Sequence, residues 1–124
     1  MSVFSGQDIS VYRKTHQNRF MQKKERMNAR KNSALTLSKK AAYLLKTKYH
    51  VKQVYLFGSL ARQHAFFDEH SDIDIAVKGL PEKDYFKAHS NLMDLNPKFD
   101  MDLVMMETAS TSILKVICQE GILI

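Results

Sequence analysis

The sequence predicts a small α/β (α+β) domain, in which helices pack against one mixed β-sheet, preceded by a long basic N-terminal helix. Short β-rich runs alternate with segments whose apolar residues recur at helical spacing. The 124 residues suffice for one domain and an appended segment. Charge divides unevenly, because residues 1–50 hold 12 Lys/Arg against two acids whereas residues 51–124 hold 7 against 11. We therefore expect a basic helical extension over 1–33 and a folded domain over 34–124.

Several classes of protein are excluded by composition. No run of about 18 apolar residues is present, which excludes a membrane-spanning helix. Residues 1–8 have neither the basic start nor the apolar stretch of a secretory signal. The single cysteine, Cys118, has no partner for an internal disulfide and behaves as a small apolar side chain in most helices. These features predict a cytoplasmic protein.

The helical segments come first. A thin apolar stripe repeats every seven residues at Phe20, Met27, Ala34 and Ala41. Such a narrow stripe does not anchor a helix alone, so we expect it to lie against the body or another chain, including a second copy. From 34 to 48 the apolar pattern is denser and typical of a helix packed on a sheet. Residues 31–33 are a candidate joint between two helices.

The remaining elements follow from changes of period and from turn residues. Apolar alternation or β-rich composition predicts strands over 51–57, 72–77 and 98–106. Pro81 suits the first turn of a helix that runs to about Asp94. Ser110 or Thr111 is expected to cap a last helix, which Gly121 ends. The order predicts helices packed against one mixed sheet.

Acidic residues on two of these strands need an explanation. Asp72 and Asp74 point to the same face of a strand, about 7 Å apart along the backbone. They repel each other unless a cation lies between them, and hard oxygen ligands suit Mg²⁺ together with substrate phosphates. Asp100 and Asp102 both lie on the polar side of the next strand and are candidates for a third ligand. The alternative is an exposed strand face that happens to be acidic.

A turn upstream strengthens the metal interpretation. Gly58 permits a sharp backbone turn, and Ser59 opens the next helical turn with free N–H groups and a hydroxyl. Such a turn can hold phosphate oxygens. A phosphate-binding turn combined with acidic metal ligands predicts nucleotidyl or phosphoryl transfer.

The motifs together resemble the minimal nucleotidyltransferase family of the polymerase-β superfamily. The resemblance rests on LFGSLAR at 56–62 followed by SDIDI at 71–75. It continues through VKGLP at 77–81, DLV at 102–104 and EGILI at 120–124. It covers the chain from about Leu37 onward and implies the nucleotidyltransferase fold, with transfer of AMP from ATP to an acceptor hydroxyl and release of pyrophosphate.

The resemblance also implies roles for individual residues. Gly58 and Ser59 would hold the β- and γ-phosphates of ATP. The metal ligands, for two Mg²⁺ ions, would be Asp72, Asp74 and Asp102. Asp102 would also act as base or orienting group for the attacking hydroxyl, with Asp100 as the second candidate for that position.

Arg62 and the loop after it mark where the sequence leaves alternatives open. Arg62 would neutralise phosphate charge or form a structural salt bridge. Gln63 replaces the glycine usual in the family, and the loop before Asp72 is about two residues longer. Its His and Phe residues could form a lip over the nucleotide or pack on the body; they are His64, Phe66, Phe67 and His70.

The short chain is similar to the antitoxin of HEPN/MNT toxin–antitoxin pairs. That resemblance implies AMPylation of a tyrosine near the active site of a HEPN RNase toxin, with the basic helix over 8–33 as a docking element. The alternatives are a small-molecule (aminoglycoside-type) nucleotidyltransferase, a non-catalytic antitoxin that acts by binding alone, and a nucleic-acid-binding module. The last is disfavoured because only Tyr12 and Phe20 are interleaved with the basic residues of the arm.

Overall fold

In the part of the chain that the structure describes, a four-stranded sheet and three α-helices form the fold. The computed structural model describes residues 6–62 and 67–124, and within the first helix it describes the side chains of residue 19 and of residues from 21 onward. The elements are α1 (Gly6–Lys48), β1 (Gln53–Phe57), β2 (Ile73–Lys78), α2 (Tyr85–Met93), β3 (Met101–Met105), α3 (Thr111–Glu120) and β4 (Ile122–Leu123). Two 3₁₀ turns, Ser59–Ala61 and Glu82–Asp84, precede β2 and α2.

The sheet is mixed, with the strand order β3-β2-β1-β4. Strand β1 lies antiparallel to both β2 and β4, whereas β2 and β3 are parallel. The predicted mixed sheet is therefore confirmed. Strand β4 was not predicted as a strand, because its two residues are too few for a period. It forms as an edge strand, and the N–H of Ile124 donates to the carbonyl of Val54 at 2.9 Å.

Helix α1 is continuous from Gly6 to Lys48, so the predicted joint at 31–33 is wrong. Asn32 and Ser33 have modest helix propensity, but neither is a Gly or Pro that would break the helix. The carbonyl of Asn32 accepts a bond from Thr36 Oγ1 at 3.1 Å. Ala34, which follows Ser33 directly, is fully buried. The predicted boundary between residues 33 and 34 thus falls within one uninterrupted helix.

The end of α1 is set by a local backbone motif. His50 has a positive φ of 56°, the left-handed conformation common just after a helix. The N–H of Val51 then donates back to the carbonyl of Leu45 at 3.4 Å, in the last turn of the helix. This reversal directs the chain into β1.

The apolar core lies between α1, α2 and one face of the sheet. Helix α1 contacts β1 and β2, and α2 contacts β3. The buried residues of α1 recur at helical spacing, at Ala34, Leu37, Ala41, Ala42 and Leu45. From the sheet, Val54, Leu56, Ile73, Ile75, Val77, Met101 and Leu103 are buried in the same cluster. No helix in the described part of the chain combines the length and apolar character needed to cross a membrane.

Helix α2 also covers the outer edge of β3. The hydroxyl of Tyr85 donates to the carbonyl of Leu103 at 2.7 Å. The Nε2 of His89 lies 2.9 Å from the carbonyl of Met101, which can only accept. These bonds satisfy backbone groups that an edge strand would otherwise expose. Ser110, one of the two predicted caps, precedes helix α3, and its Oγ accepts from the N–H of Ile113 at 3.3 Å.

Candidate active site

Strand β2 positions the first two predicted carboxylates. Ile73 and Ile75 are fully buried, whereas Asp72 is exposed and Asp74 is half-buried. This alternation places the two acids on the face opposite the main core, as the spacing predicted. Asp74 lies within β2 between the buried Ile73 and Ile75, and Asp72 immediately precedes the strand.

Asp102 is brought beside Asp74 by the register of the parallel strands. The two residues are paired directly across β2 and β3, and neighbouring strands lie about 4.8 Å apart. The carboxyl groups are close enough for the charge of Asp102 to affect the protonation of Asp74. Burial, followed by the charges of Asp102 and Asp72, raises the pKa of Asp74 to about 6. Two carboxylates held this close cannot both ionise freely without a cation.

Asp72 and Asp100 extend the same acidic cluster. Although Asp72 is exposed, slight desolvation raises its pKa, and the charges of Asp102 and then Asp100 add to the effect. Asp100 lies just before β3, and its carbonyl accepts a bond from the N–H of Ile73 at 3.0 Å. Both candidates for the third acid therefore lie near Asp72, but Asp102 is the one in register with Asp74.

Gly58 lies directly against Asp74. It follows Phe57, which is paired with Asp74 across β1 and β2. A Cβ built on Gly58 would lie 2.1 Å from Oδ2 of Asp74, far inside van der Waals contact. The backbone angles of Gly58 (φ 75°, ψ −156°) also belong to a region that only glycine adopts readily. The site therefore requires glycine for both space and backbone conformation.

The predicted phosphate-binding turn continues from Gly58. Ser59 begins a single 3₁₀ turn, in which Ala61 and Arg62 donate backbone bonds to Gly58 and Ser59 at 3.1 and 3.3 Å. The first N–H groups of a helical turn have no partner within that turn. The N–H groups of Ser59 and Leu60 therefore have no partner within the turn. They come directly after Gly58, the residue that lies against Asp74.

Arg62 is engaged by the C-terminal part of the chain. Its Nε lies 2.9 Å from Oε2 of Glu120 on α3, and both side chains are partly exposed. This is the salt bridge that the sequence left as one of two alternatives for Arg62. An exposed pair of this kind is weak, so it does not prevent the guanidinium from changing partner.

The loop between Arg62 and Asp72 is described only in part. Gln63, His64 and Phe66 lie outside the described residues. Phe67 is buried and its ring stacks on that of Phe99, with centroids 6.5 Å apart. His70 is exposed beside Glu69. For Phe67, packing on the body is therefore the alternative that the structure supports.

The acidic cluster has the ligand chemistry of a magnesium site without being a finished cage. Within residues 6–62 and 67–124, no three His, Cys, Asp or Glu side chains are arranged to enclose a metal ion. Mg²⁺ is usually held by one or two carboxylates, with the remaining positions taken by water and substrate phosphates. Burial raises the pKa of Asp74, and the charges of Asp102 and Asp72 raise it further; a bound cation would offset those charges. The residues present therefore fit Mg²⁺.

Two residues next to the site were missed by sequence reasoning. Arg30 of α1 donates to the carbonyls of Asp68 and Lys98, in the two loops that lead to the acidic strands. Lys31 donates to the carbonyl of Arg62 at 3.0 Å. The partners are more than 30 positions away in sequence, and no local pattern could have indicated these bonds.

A known family model covers most of the chain. The model of the family "Polymerase beta, Nucleotidyltransferase" matches residues 39–124. That range contains the glycine-serine turn and all four carboxylates. No curated protein gives a significant match to the chain.

Solved structures show the same fold. A chain of the complex between a tri-AMPylated HEPN toxin of Shewanella oneidensis and MNT antitoxin is 26% identical, with a TM-score of 0.55 over 73% of this chain and 70% of that chain. A toxin–antitoxin structure with AMP-PNP is 26% identical, with a TM-score of 0.54 over 75% and 70%. A protein assigned as a minimal nucleotidyltransferase is 25% identical, with a TM-score of 0.51 over 79% and 92%.

Proposed function

Because the chain belongs to the polymerase beta nucleotidyltransferase family, we propose that it is a Mg²⁺-dependent antitoxin that transfers AMP from ATP to a tyrosine hydroxyl of a cognate HEPN RNase toxin. One observation carries the proposal. Asp74 is in register with Asp102 on the neighbouring strand and lies against Gly58, so the acids proposed as metal ligands are next to the turn proposed to bind phosphate. The complexes of similar chains supply the class of partner.

Each group has a place in the proposed reaction. The N–H groups that open the 3₁₀ turn at Ser59 bind the outer phosphates of ATP. Asp72, Asp74 and Asp102 would hold the metal ions, which would supply positive charge that stabilises the phosphate oxygens during displacement. The tyrosine oxygen attacks the α-phosphorus, and the bond from that phosphorus to the bridging oxygen breaks, so pyrophosphate leaves. Asp102, the more exposed member of its pair with Asp74, accepts the hydroxyl proton.

The acceptor and the surroundings of the reaction follow from the rest of the chain. The basic helix over residues 8–33, the proposed docking element, continues into the folded part as the same helix, α1. We place the reaction in the cytoplasm, where ATP and Mg²⁺ are supplied. A homo-oligomer, formed through the exposed part of α1, is compatible with the same site.

Transfer of labelled AMP tests the proposal. The chain is incubated with Mg²⁺, ATP labelled at the α-phosphate and the small helical product of the adjacent gene. We expect label on a tyrosine of that partner, and a loss of at least about 100-fold for Asp72→Asn, Asp74→Asn and Asp102→Asn. Asp94→Asn, an exposed acid at the end of α2, is the matched control and keeps full activity.

The outcomes separate the alternatives. Label transfer that survives Asp72→Asn and Asp74→Asn contradicts the metal assignment. Neutralisation of the partner without label supports an antitoxin that acts by binding alone. Label on an added aminoglycoside, but not on protein, supports the small-molecule transferase.

A further inference from the structure

Arg30 links helix α1 to two separate loops. Its Nε donates to the carbonyl of Asp68 at 2.9 Å, and its Nη2 donates to the carbonyl of Lys98 at 3.1 Å. The guanidinium carbon also lies 4.4 Å from the centroid of the Phe99 ring. One side chain therefore makes three contacts with segments that are 30 residues apart in sequence.

Both loops lead directly into the acidic strands. Asp68 is four residues before Asp72, and Lys98 is two residues before Asp100 and four before Asp102. The loops are also joined to each other, since the N–H of Ile73 donates to the carbonyl of Asp100 at 3.0 Å. The position of β2 relative to β3 at this end of the sheet decides the separation of the carboxylates. Arg30 lies where it can set that separation.

Apart from the bond from Ile73 to Asp100, the local hydrogen bonds of the loop before β2 stay within that loop. The loop before β2 is held within itself by Asp68, whose carboxylate accepts from the N–H of His70 at 2.9 Å and from Ser71 Oγ at 3.2 Å. These bonds shape the turn but do not connect it to β3. The stacked rings of Phe67 and Phe99 connect the loops through non-directional contact. The guanidinium adds directional bonds to both.

We propose that Arg30 is a positioning residue, which fixes the spacing of Asp72, Asp74 and Asp102 by holding both loops. The inference rests on the proposed function for its consequence, but the bracing itself is a property of the fold. Lysine cannot replace arginine here, because its single ammonium lacks the planar fork that reaches two carbonyls while stacking on a ring. Lys31, which donates to the carbonyl of Arg62, extends the same bracing to the phosphate-binding turn.

Hydrogen exchange of the full chain tests the bracing without any activity. We compare Arg30→Ala and Arg30→Lys with Arg26→Ala, an exposed arginine one turn earlier on α1. We expect the amide of Ile73 to exchange faster in both Arg30 variants, while amides of β1 stay protected. The Arg26 variant exchanges like the parent. Unchanged exchange at Ile73, or an equal rise at every core amide, overturns the proposal, because the second result indicates general destabilisation.

A magnesium titration of AMP transfer tests the consequence. For Arg30→Lys, we expect the Mg²⁺ concentration for half-maximal rate to rise by about 10- to 100-fold, the size seen when groups that support metal ligands are removed. The KM for the protein acceptor stays unchanged. An unaltered Mg²⁺ requirement contradicts the positioning role. If the parent chain transfers no AMP, the proposed function fails, whereas hydrogen exchange still decides the role of Arg30.

Discussion

The two faces of strand β2 are in opposite physical situations. On one face, Ile73, Ile75 and Val77 are fully buried in an apolar core. On the other face, the carboxyl of Asp74 is crowded by Asp72, Asp102 and the backbone of Gly58. Burial of the first face stabilises the fold, whereas like charges and a glycine-only backbone on the second face oppose it. The site therefore depends on stability supplied by the core, as is common where function requires strain.

A cavity in the core has the largest expected effect on stability. Leu45 of α1 is fully buried, so Leu45→Ala removes its contacts and lowers the free energy of unfolding by about 2–5 kcal/mol. Tyr43→Ala, on the same helix with 71% of the residue exposed, changes that free energy by less than about 0.5 kcal/mol. Denaturant titration measures both. AMP transfer per folded molecule stays at the parent level in each variant. A selective loss of transfer in Leu45→Ala would contradict the expectation that the core affects stability without affecting the chemistry of the site.

A methyl group on Gly58 is expected to have the opposite balance of effects, with a large loss of AMP transfer and a smaller loss of stability. Gly58→Ala displaces the carboxylate of Asp74, and we expect AMP transfer to fall at least about 100-fold, as small misplacements of reacting groups do. The backbone strain lowers stability by about 1–3 kcal/mol. Gly79→Ala is the matched control, since Gly79 also has a positive φ (91°) but its neighbour is Lys52. We expect the Gly79→Ala variant to lose stability and to keep AMP transfer at the parent level. Equal loss of transfer in both variants would show that strain alone, not Asp74, explains the effect.

The acidic face also predicts how stability depends on pH without metal. The pKa of Asp74, about 6 in the folded chain against an ordinary 3.8, means that the folded state binds this proton more tightly than the unfolded state. Stability therefore rises as pH falls from 7 through 6 toward 4. The raised pKa of Asp72 acts in the same direction. We expect Asp74→Asn to flatten this dependence and to melt above the parent at pH 7.

Thermal melts in chelator across this pH range check the sign. Asp94→Asn keeps the parent profile and serves as control. A parent chain whose Tm falls as pH drops from 7 to 5, with no difference in Asp74→Asn, contradicts the crowding of the carboxylates. Added Mg²⁺ raises the Tm of the parent at pH 7 but not that of Asp74→Asn.

The smallest effect is expected at the salt bridge beside the turn. Arg62 and Glu120 are partly exposed, so Glu120→Gln lowers stability by less than about 1 kcal/mol. Its ATP affinity stays at the parent value. Arg62→Ala separates the two roles that the sequence left open, because a lower ATP affinity in this variant alone identifies a phosphate contact. Equal ATP affinity in both variants restricts Arg62 to the structural pair.

Prediction from sequence succeeded where the relevant physics is local. Alternation placed Asp72 and Asp74 on the face opposite the core, and the cap at Ser110 followed from its hydroxyl. It was wrong at residues 31–33, because burial of Ala34 and the absence of a helix breaker outweigh the propensities of Asn32 and Ser33. It missed β4, whose strand conformation comes from pairing with β1 rather than from its own two residues.

The sequence by itself determined the strand periods, the helix caps and the motif that contains Gly58, Asp72 and Asp74, since each depends on neighbours a few positions away. Only the tertiary structure decided that Asp102 is paired with Asp74 and that a Cβ on Gly58 would meet a carboxylate. It also decided that Arg30 reaches two distant loops. The physical reason is that register and side-chain reach depend on how whole elements pack, and packing brings together residues that no local pattern connects.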